Sequence, residues 1–231
     1  MDELALLRAG RIELLGMIRG SSNSALLVEL AHGPDTAWGV YKPVEGERPL
    51  RDFPRGLHRR EAAAHVLSEL LGWGLVPPTV LREQGPFGTG SVQLFVEHDP
   101  REHYFTLQAT APETHDALRR LAVFDVVANN ADRKGGHVLR AADGRVQGID
   151  HGLCFGTGHR LRTVVWDFAG EPVPPPLLED LAPLAQTVPP ELAALLDEPE
   201  TEALRRRVRH LLEEPVLPLD PTGCRVPWPL L

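Results

Sequence analysis

Lysine is nearly missing from this sequence: of 24 basic residues only Lys42 and Lys134 are lysines, and the rest are arginine. Cysteine is as scarce. Cys154 and Cys224 stand far apart in no metal-ligand spacing, which excludes a disulfide scaffold and fits a reducing cytoplasm. Cys154, in an apolar context, reads as a buried and inert thiol. No run approaches the roughly 18 apolar residues that span a bilayer. The opening "MDELALLRAGRIELLG" has no basic segment followed by an apolar one, so no secretory signal is expected. Positive charge is also in deficit, with a formal net charge of −8, which argues against a general nucleic-acid binder. The ten histidines form no HxxxH or HxH cluster, which disfavours a metal hydrolase. No internal repeat is present.

What remains is an ordinary globular composition. With 231 residues, 42% apolar and 24% charged, the chain is long enough for one large domain or two lobes sharing an interface. "RIELLGMIRG", "SALLVELAHG" and "TAWGVYKPV" alternate apolar and polar residues between turn-forming ones, which predicts three antiparallel strands. "HRREAAAHVLSELLGW" has helical spacing at Ala63, Val66, Leu67, Leu70 and Leu71, closed by Gly72 and Gly74. "LVPPTVLRE" and "GSVQLFVEH" predict two further strands. "APETHDALRRLAVFDVVAN" reads as a helix with Thr114 or Asp116 available to cap it. Two short strands, "HVLRA" and "RVQGID", meet at an Asp143-Gly144 turn. Helical pieces "LLEDLAPLAQ", "PELAALLDE" and "TEALRRRVRHLLEEP" follow, then a proline-rich irregular tail. The expectation is a β-rich part and an α-rich part joined near residues 97 to 112.

Four polar features stand out in this frame. "IRGSSNSALL" puts Gly20, Ser21, Ser22, Asn23 and Ser24 in a turn whose N–H groups could face a phosphate or simply reverse the chain. "VYKP" places Lys42 on a strand, either snorkelling to water or lending a cation to a cleft. Glu61, on the following helix, is a possible partner for it. It lies nearly opposite the apolar stripe, so a solvated first-turn glutamate is the alternative. "NNADRKGGHVL" is a glycine-hinged polar loop carrying Asp132 and His137. Asp150 ends the strand "GID", where it either caps the next turn or holds a cation. A covering loop, a strand lysine, a helix glutamate, a loop acid and a metal-gripping acid are the parts that phosphoryl transfer needs. Neither "HRDxxxxN" nor "DFG" is present, so an ordinary protein kinase is a poor match.

"GSVQLFVE", "REAAAHVLSELLGWGLVPPT", "FDVVANNADRKGGH" and "GIDHGLCF" resemble the phosphatidylinositol 3-/4-kinase-like family of atypical kinases, and within it the type II phosphatidylinositol 4-kinases. The resemblance runs from about Gly20 to Phe155. It implies an α+β, two-lobed protein-kinase-like fold, with an antiparallel β-rich N-lobe over 1–97 and an α-rich C-lobe over 98–231. It also implies a cytoplasmic, ATP- and Mg2+- or Mn2+-dependent phosphotransferase whose acceptor is an inositol lipid, a protein hydroxyl or a small metabolite. A pseudokinase, binding nucleotide or acting as a scaffold, is the alternative.

By position, Ser21, Ser22 and Asn23 would cover the phosphates, Lys42 would contact them and Glu61 would pair with Lys42. Gln93 to Glu97 would form the hinge, with Phe95, Val96 and Glu97 offering backbone contacts to adenine. Asp132 would be the catalytic acid/base, supported by Asn130 and Arg133, and Asp150 the principal metal ligand. His137 takes the second metal position, where the family has asparagine. The cysteine cluster that carries palmitate in the type II lipid kinases is missing, so membrane anchoring has no support in the sequence. Arg160 and Arg162 could meet an anionic headgroup or be solvated. Trp166 and Phe168 read as packing between lobes, and "RRRVRH" as an exposed helix face. His65, His98, His103 and His210 read as structural or solvated.

Overall fold

In the computed structural model, residues 2–18, 24–50 and 53–231 are described; Gly20 and the proposed phosphate-covering residues Ser21, Ser22 and Asn23 lie outside them. The N-terminal part is a five-stranded antiparallel sheet in the order β1-β2-β3-β5-β4. Its strands are β1 (Arg11–Met17), β2 (Leu26–His32), β3 (Asp35–Pro43), β4 (Thr79–Arg82) and β5 (Gly90–Leu94). All five expected strands form. Their period-two alternation sends Val28, Leu30, Tyr41, Val80 and Val92 to one face, where they pack against Leu6 and Leu7. Those two leucines belong to a short helix, α1 (Glu3–Ala9), that the sequence reading did not anticipate. About two turns of helix carry too little periodicity to declare themselves, although Asp2 caps the helix by accepting from the Ala5 N–H at 2.6 Å.

Lys42 follows Tyr41 and therefore takes the opposite face of the sheet. That face is covered by α2 (Leu57–Leu70), the expected helix. It ends as expected too: Gly72 has φ 65°, and the Trp73 N–H reaches back to the Ser68 carbonyl at 3.0 Å, a left-handed stop that glycine adopts without steric penalty. The apolar stripe proposed for α2 is only part of what it buries. Arg60, Glu61, Ala62, Ala63, Ala64, His65, Leu67 and Ser68 are all buried, while Leu70 is exposed. A helix wedged between a sheet and a helical body is covered on nearly every side, so a single-stripe wheel misjudges it.

The C-terminal part is helical. It contains α3 (Tyr104–Thr110), α4 (His115–Ala128), α5 (Pro175–Gln186), α6 (Pro190–Ala193) and α7 (Glu198–Glu213), with a small hairpin of β6 (Val138–Arg140) and β7 (Val146–Gly148). The hairpin turns at Asp143-Gly144 as expected, Gly144 with φ 86°. Helix α3 was not expected. The capping proposed for α4 does not occur: the Thr114 hydroxyl donates instead to the Ala111 carbonyl at 2.7 Å, and the chain enters α4 through a tight turn over Pro112–Thr114. The large apolar core joins α4, α5 and α7 to Ala63, Ala64, Leu67 and Leu71 of α2. Phe168 lies in that core, and Trp166 donates its indole N–H to the Arg225 carbonyl at 3.0 Å, so both serve packing. Cys154 is fully buried, and burial pushes its thiol pKa well up. "RRRVRH" is not one exposed face: Arg206 and His210 are exposed, but Arg207 turns inward to the Val127 carbonyl at 2.8 Å. No helix among the described residues is long and apolar enough to cross a membrane.

A buried ion pair between Arg60 and Glu200 fastens α2 to the start of α7. Removing one partner of such a pair leaves an uncompensated charge in the interior. Arg60→Met should therefore lower the unfolding free energy by about 3 kcal/mol, measured by urea denaturation; a loss indistinguishable from zero would show the pair to be dispensable.

Candidate active site

The Lys42 ammonium bridges two acids from distant parts of the chain. It donates to Glu61 on α2, and to Asp150 Oδ1 just beyond β7 at 2.8 Å. Glu61 is buried rather than solvated, which decides between its two sequence readings. Its other oxygen accepts the His151 N–H at 2.9 Å. Burial alone would depress the Lys42 pKa, but the Asp150 and Glu61 carboxylates outweigh it and hold the ammonium charged. Burial likewise raises Glu61. For Asp150 the opposing attraction to Lys42, then His137, wins and keeps its pKa well below the usual range. Asp150 sits in the left-handed region with φ 59°, a conformation that a non-glycine residue holds only when its surroundings impose it. Its side chain remains 43% exposed, so a ligand can reach it.

The polar loop after α4 is built on a buried arginine. Arg133 is fully enclosed and pairs with Asp125, itself buried on α4, at 3.0 Å. Its guanidinium also donates to the carbonyls of Ile149 at 2.8 Å and His137 at 3.2 Å, and to His151 Nε2 at 2.7 Å. Because His151 Nε2 accepts from an arginine, the ring proton must sit on Nδ1, which is buried without a partner. Burial and the Arg133 charge keep this imidazole neutral. At Gly148 a Cβ would lie 3.1 Å from Leu121 Cδ1 and 3.2 Å from the Arg133 guanidinium, so a side chain there would crowd both.

Asn130 donates to Asp125 Oδ1 at 3.1 Å and accepts the Asp132 N–H at 3.0 Å, so it shapes the loop from inside. Asp132 is presented at the mouth, its pKa raised by burial against the pull of Lys134, whose ammonium lies 3.3 Å from Asp132 Oδ2. The two lysines of the chain thus stand on the three acids of the site, Lys42 on Glu61 and Asp150 and Lys134 on Asp132. Lys134 was given no role from sequence, although its rarity was the available signal.

His137 Nδ1 lies 3.1 Å from the Asp132 carbonyl, and its Nε2 3.3 Å from Asp150 Oδ2. Burial pushes its pKa down to about 4, so the ring is neutral. If Nδ1 donates to that carbonyl, Nε2 and the carboxylate face each other as two lone-pair donors, an arrangement a cation would relieve; if Nδ1 instead accepts the Lys134 N–H, 3.4 Å away, Nε2 carries the proton and donates to the carboxylate. In the first of these arrangements Asp150 and His137 could hold Mg2+ or Mn2+. The described residues contain no cluster of three or more metal-ligating side chains, so water and phosphate oxygens would have to complete the shell of such an ion.

Not every expected residue comes to this place. Lys42, Glu61, Asp132 and Asp150 line one cavity of about 40 Å3 with Ser24, Glu47 and His58. Phe95, Val96 and Glu97 line a different one, of about 560 Å3, with Pro77, Pro78 and Gln147. Gln93 is buried and its amide donates to Thr79 Oγ1 at 2.8 Å, so its side chain is structural. The Phe95 N–H is already given to the Trp38 carbonyl at 2.9 Å, and the Val96 carbonyl meets His98 Nδ1 at 2.8 Å. His65 is buried. Arg162 is exposed, and its Nε donates to the Ala131 carbonyl at 2.8 Å.

No family model matches the sequence. The protein Rv2133c of Mycobacterium tuberculosis is 42% identical over 266 aligned positions, covering 99% of this chain and 95% of that protein. The chain belongs to the Rv2133c family. Phosphatidylinositol 4-kinase gamma 4 of Oryza sativa is 27% identical over 154 positions, half of this chain and 26% of that protein. Among solved structures, hydra Fam20 with sugar superposes with TM-score 0.59 at 15% identity, covering 91% of this chain and 87% of its own. The Golgi casein kinase with Mn/ADP bound gives 0.56 at 15%, covering 97% and 77%. At such identities the likeness is one of fold. The Rv2133c-family chain therefore has the expected α+β, protein-kinase-like fold of the atypical kinases.

Glu47 was also missed from sequence. Helix α2 has no side-chain cap of its own. Glu47 supplies one from outside, accepting the Gly56 N–H at 3.0 Å, the His58 N–H at 3.1 Å and His58 Nδ1 at 3.0 Å. Burial alone would raise the Glu47 pKa, but these hydrogen bonds outweigh it and lower the value below its ordinary 4.5. The stabilisation is therefore present above pH 4.5 and lost as pH falls through the lower folded value. Glu47→Gln should cost about 1–2 kcal/mol at pH 7, with the difference from wild type shrinking in urea titrations run below pH 4.5. A difference independent of pH would exclude the carboxylate charge as its source.

Proposed function

We propose that the chain is an ATP- and Mg2+- or Mn2+-dependent phosphotransferase of the phosphatidylinositol 3-/4-kinase-like type, acting on an alcohol acceptor in the cytoplasm. The observation that carries this is the Lys42 ammonium held between Glu61 and Asp150 in a cavity that Asp132 also lines. In this reading Lys42 binds phosphate oxygens and Glu61 holds it in place. Asp150, with His137, holds the metal ion, which neutralises phosphate charge when bound. Asp132 orients the acceptor hydroxyl and takes its proton; a carboxylate with a raised pKa is a stronger base. Lys134, beside Asp132, offers a second cation for the transferred group. Asn130 and Arg133 position the loop without touching substrate. Ser21, Ser22 and Asn23 cover the phosphates, and Val96 and Glu97 receive the base.

The partial match to a plant phosphatidylinositol 4-kinase supports an inositol lipid as acceptor, with a protein hydroxyl and a small metabolite as the other classes. The pseudokinase reading draws on one observation: the hinge segment and Lys42 line separate cavities, and that at Lys42 is only about 40 Å3.

Thermal midpoints with ATP plus Mg2+ or Mn2+ test the nucleotide site. Binding to the folded state should raise the midpoint by several degrees at saturating nucleotide, and Asp150→Ala should remove the metal-dependent part. Asp132→Asn should keep the shift and reduce ATP turnover by about 100-fold or more. No shift with either metal would overturn the kinase reading. A shift without turnover in the wild type would leave the pseudokinase.

A further inference from the structure

Arg207 is a largely buried cation with little compensation. Its guanidinium carries five N–H donors, and among the described residues it makes two hydrogen bonds, to the carbonyls of Val127 at 2.8 Å and Gly156 at 3.2 Å. Its Nη2 is buried without a partner. The nearby acids are engaged elsewhere: Glu200 pairs with Arg60, and Glu202 with Arg205 and Arg209. Burial, against little opposing charge, lowers even this guanidinium's pKa to about 10. An interior charge without a counter-charge costs folding free energy, and an anion at its side would offset it.

Arg207 lines a cavity of about 570 Å3 between α4, α7 and the segment after Pro215, a volume within the range of small-molecule sites. The polar end holds Arg207, His159 and His210. Arg225 reaches His159 Nε2 at 3.1 Å, and burial with the Arg225 and Arg207 charges keeps His159 neutral. The acid on the wall is Glu214; Asp220, close by, accepts from the Arg225 N–H and from Thr222. The remaining wall is apolar, including Val126, Leu161, Leu211, Val216 and Leu219.

We propose that this cavity is a binding site for a small amphiphile, whose single anionic head meets Arg207 and His159 while its hydrocarbon body covers the apolar wall. The site lies apart from Lys42 and Asp150 and does not depend on the kinase reading. It is nonetheless mechanically joined to that region. Asn129, also on its wall, donates to the carbonyls of Gly156 at 2.9 Å and Gly158 at 2.6 Å, so an occupant braces the segment that follows Asp150.

Isothermal titration of the full chain with decanoate, decyl phosphate, decanol and inorganic phosphate tests the site. One or both of the decyl anions should bind saturably, at least about tenfold more tightly than decanol or inorganic phosphate; which anion binds better identifies the head as carboxylate or phosphate. Arg207→Gln should weaken the anion by about tenfold. Because Arg207 also holds two backbone carbonyls, a second variant that leaves them alone, Val216→Trp, fills the apolar end and should weaken both decyl anions equally. Four results would each overturn the proposal: no saturable binding of either anion at millimolar concentration, equal affinity for decanol, equal affinity for inorganic phosphate, or unchanged affinity in Val216→Trp.

Discussion

A single enclosed guanidinium organises the candidate site. Arg133 has no access to water, so all its donors must be satisfied inside the protein. It meets that demand with Asp125 from α4, the carbonyls of His137 and Ile149 on the two sides of the hairpin, and the His151 ring. These partners belong to three stretches that must be placed for the chemistry, Ile149 and His151 flanking Asp150 in one of them. The loop bearing Asp132, the turn bearing Asp150 and the end of α4 are therefore fixed relative to one another by one charge. Within a low-dielectric interior such a network tolerates little displacement, because any broken bond leaves a buried polar group unpaired.

Around that fixed point, the sheet and α2 bring the second set of charges. Lys42 and Glu61 arrive from the sheet side and are joined to the Arg133 network through Asp150 and the His151 N–H. Gly152 lies close to this junction: a Cβ there would be 3.3 Å from Leu57 Cβ and 3.4 Å from the Glu61 carboxylate. Glu47 and Arg60 secure the helix that carries Glu61, one at its N-terminus and the other to α7. The polar loop also receives the far end of the chain: the Gly135 N–H donates to the Leu230 carbonyl at 2.7 Å. The helical core thus serves two tasks, burying apolar surface and supplying counter-charges at defined points.

Strands β1 to β5, the hairpin and the longer helices were legible because alternation and helical spacing are local properties of consecutive residues. Helices α1 and α3, seven residues each, were too short for their period to emerge. The site was legible where rare residues clustered, at Lys42, Asp132 and Asp150. It was misjudged where burial depends on neighbours distant in sequence. The helical wheel left Glu61 open between a Lys42 partner and a solvated residue, and packing buries it against Lys42; Arg207 looked like part of an exposed basic face and points inward. Phe95 was expected to face a base with a backbone N–H that the neighbouring strand already takes.

From the residues alone, the order of elements, the polar loop, the two glycine-terminated turns and the small set of chemically capable side chains could be stated, since each follows from local pattern and composition. The tertiary structure decided which acids meet Lys42, that Arg133 and His151 are interior partners rather than surface groups, and that the hinge segment lines a separate cavity. Those outcomes depend on contacts spanning up to 108 positions, as between Lys42 and Asp150. Long-range pairings of this kind are set by how whole elements pack, and packing is not a property of any one segment.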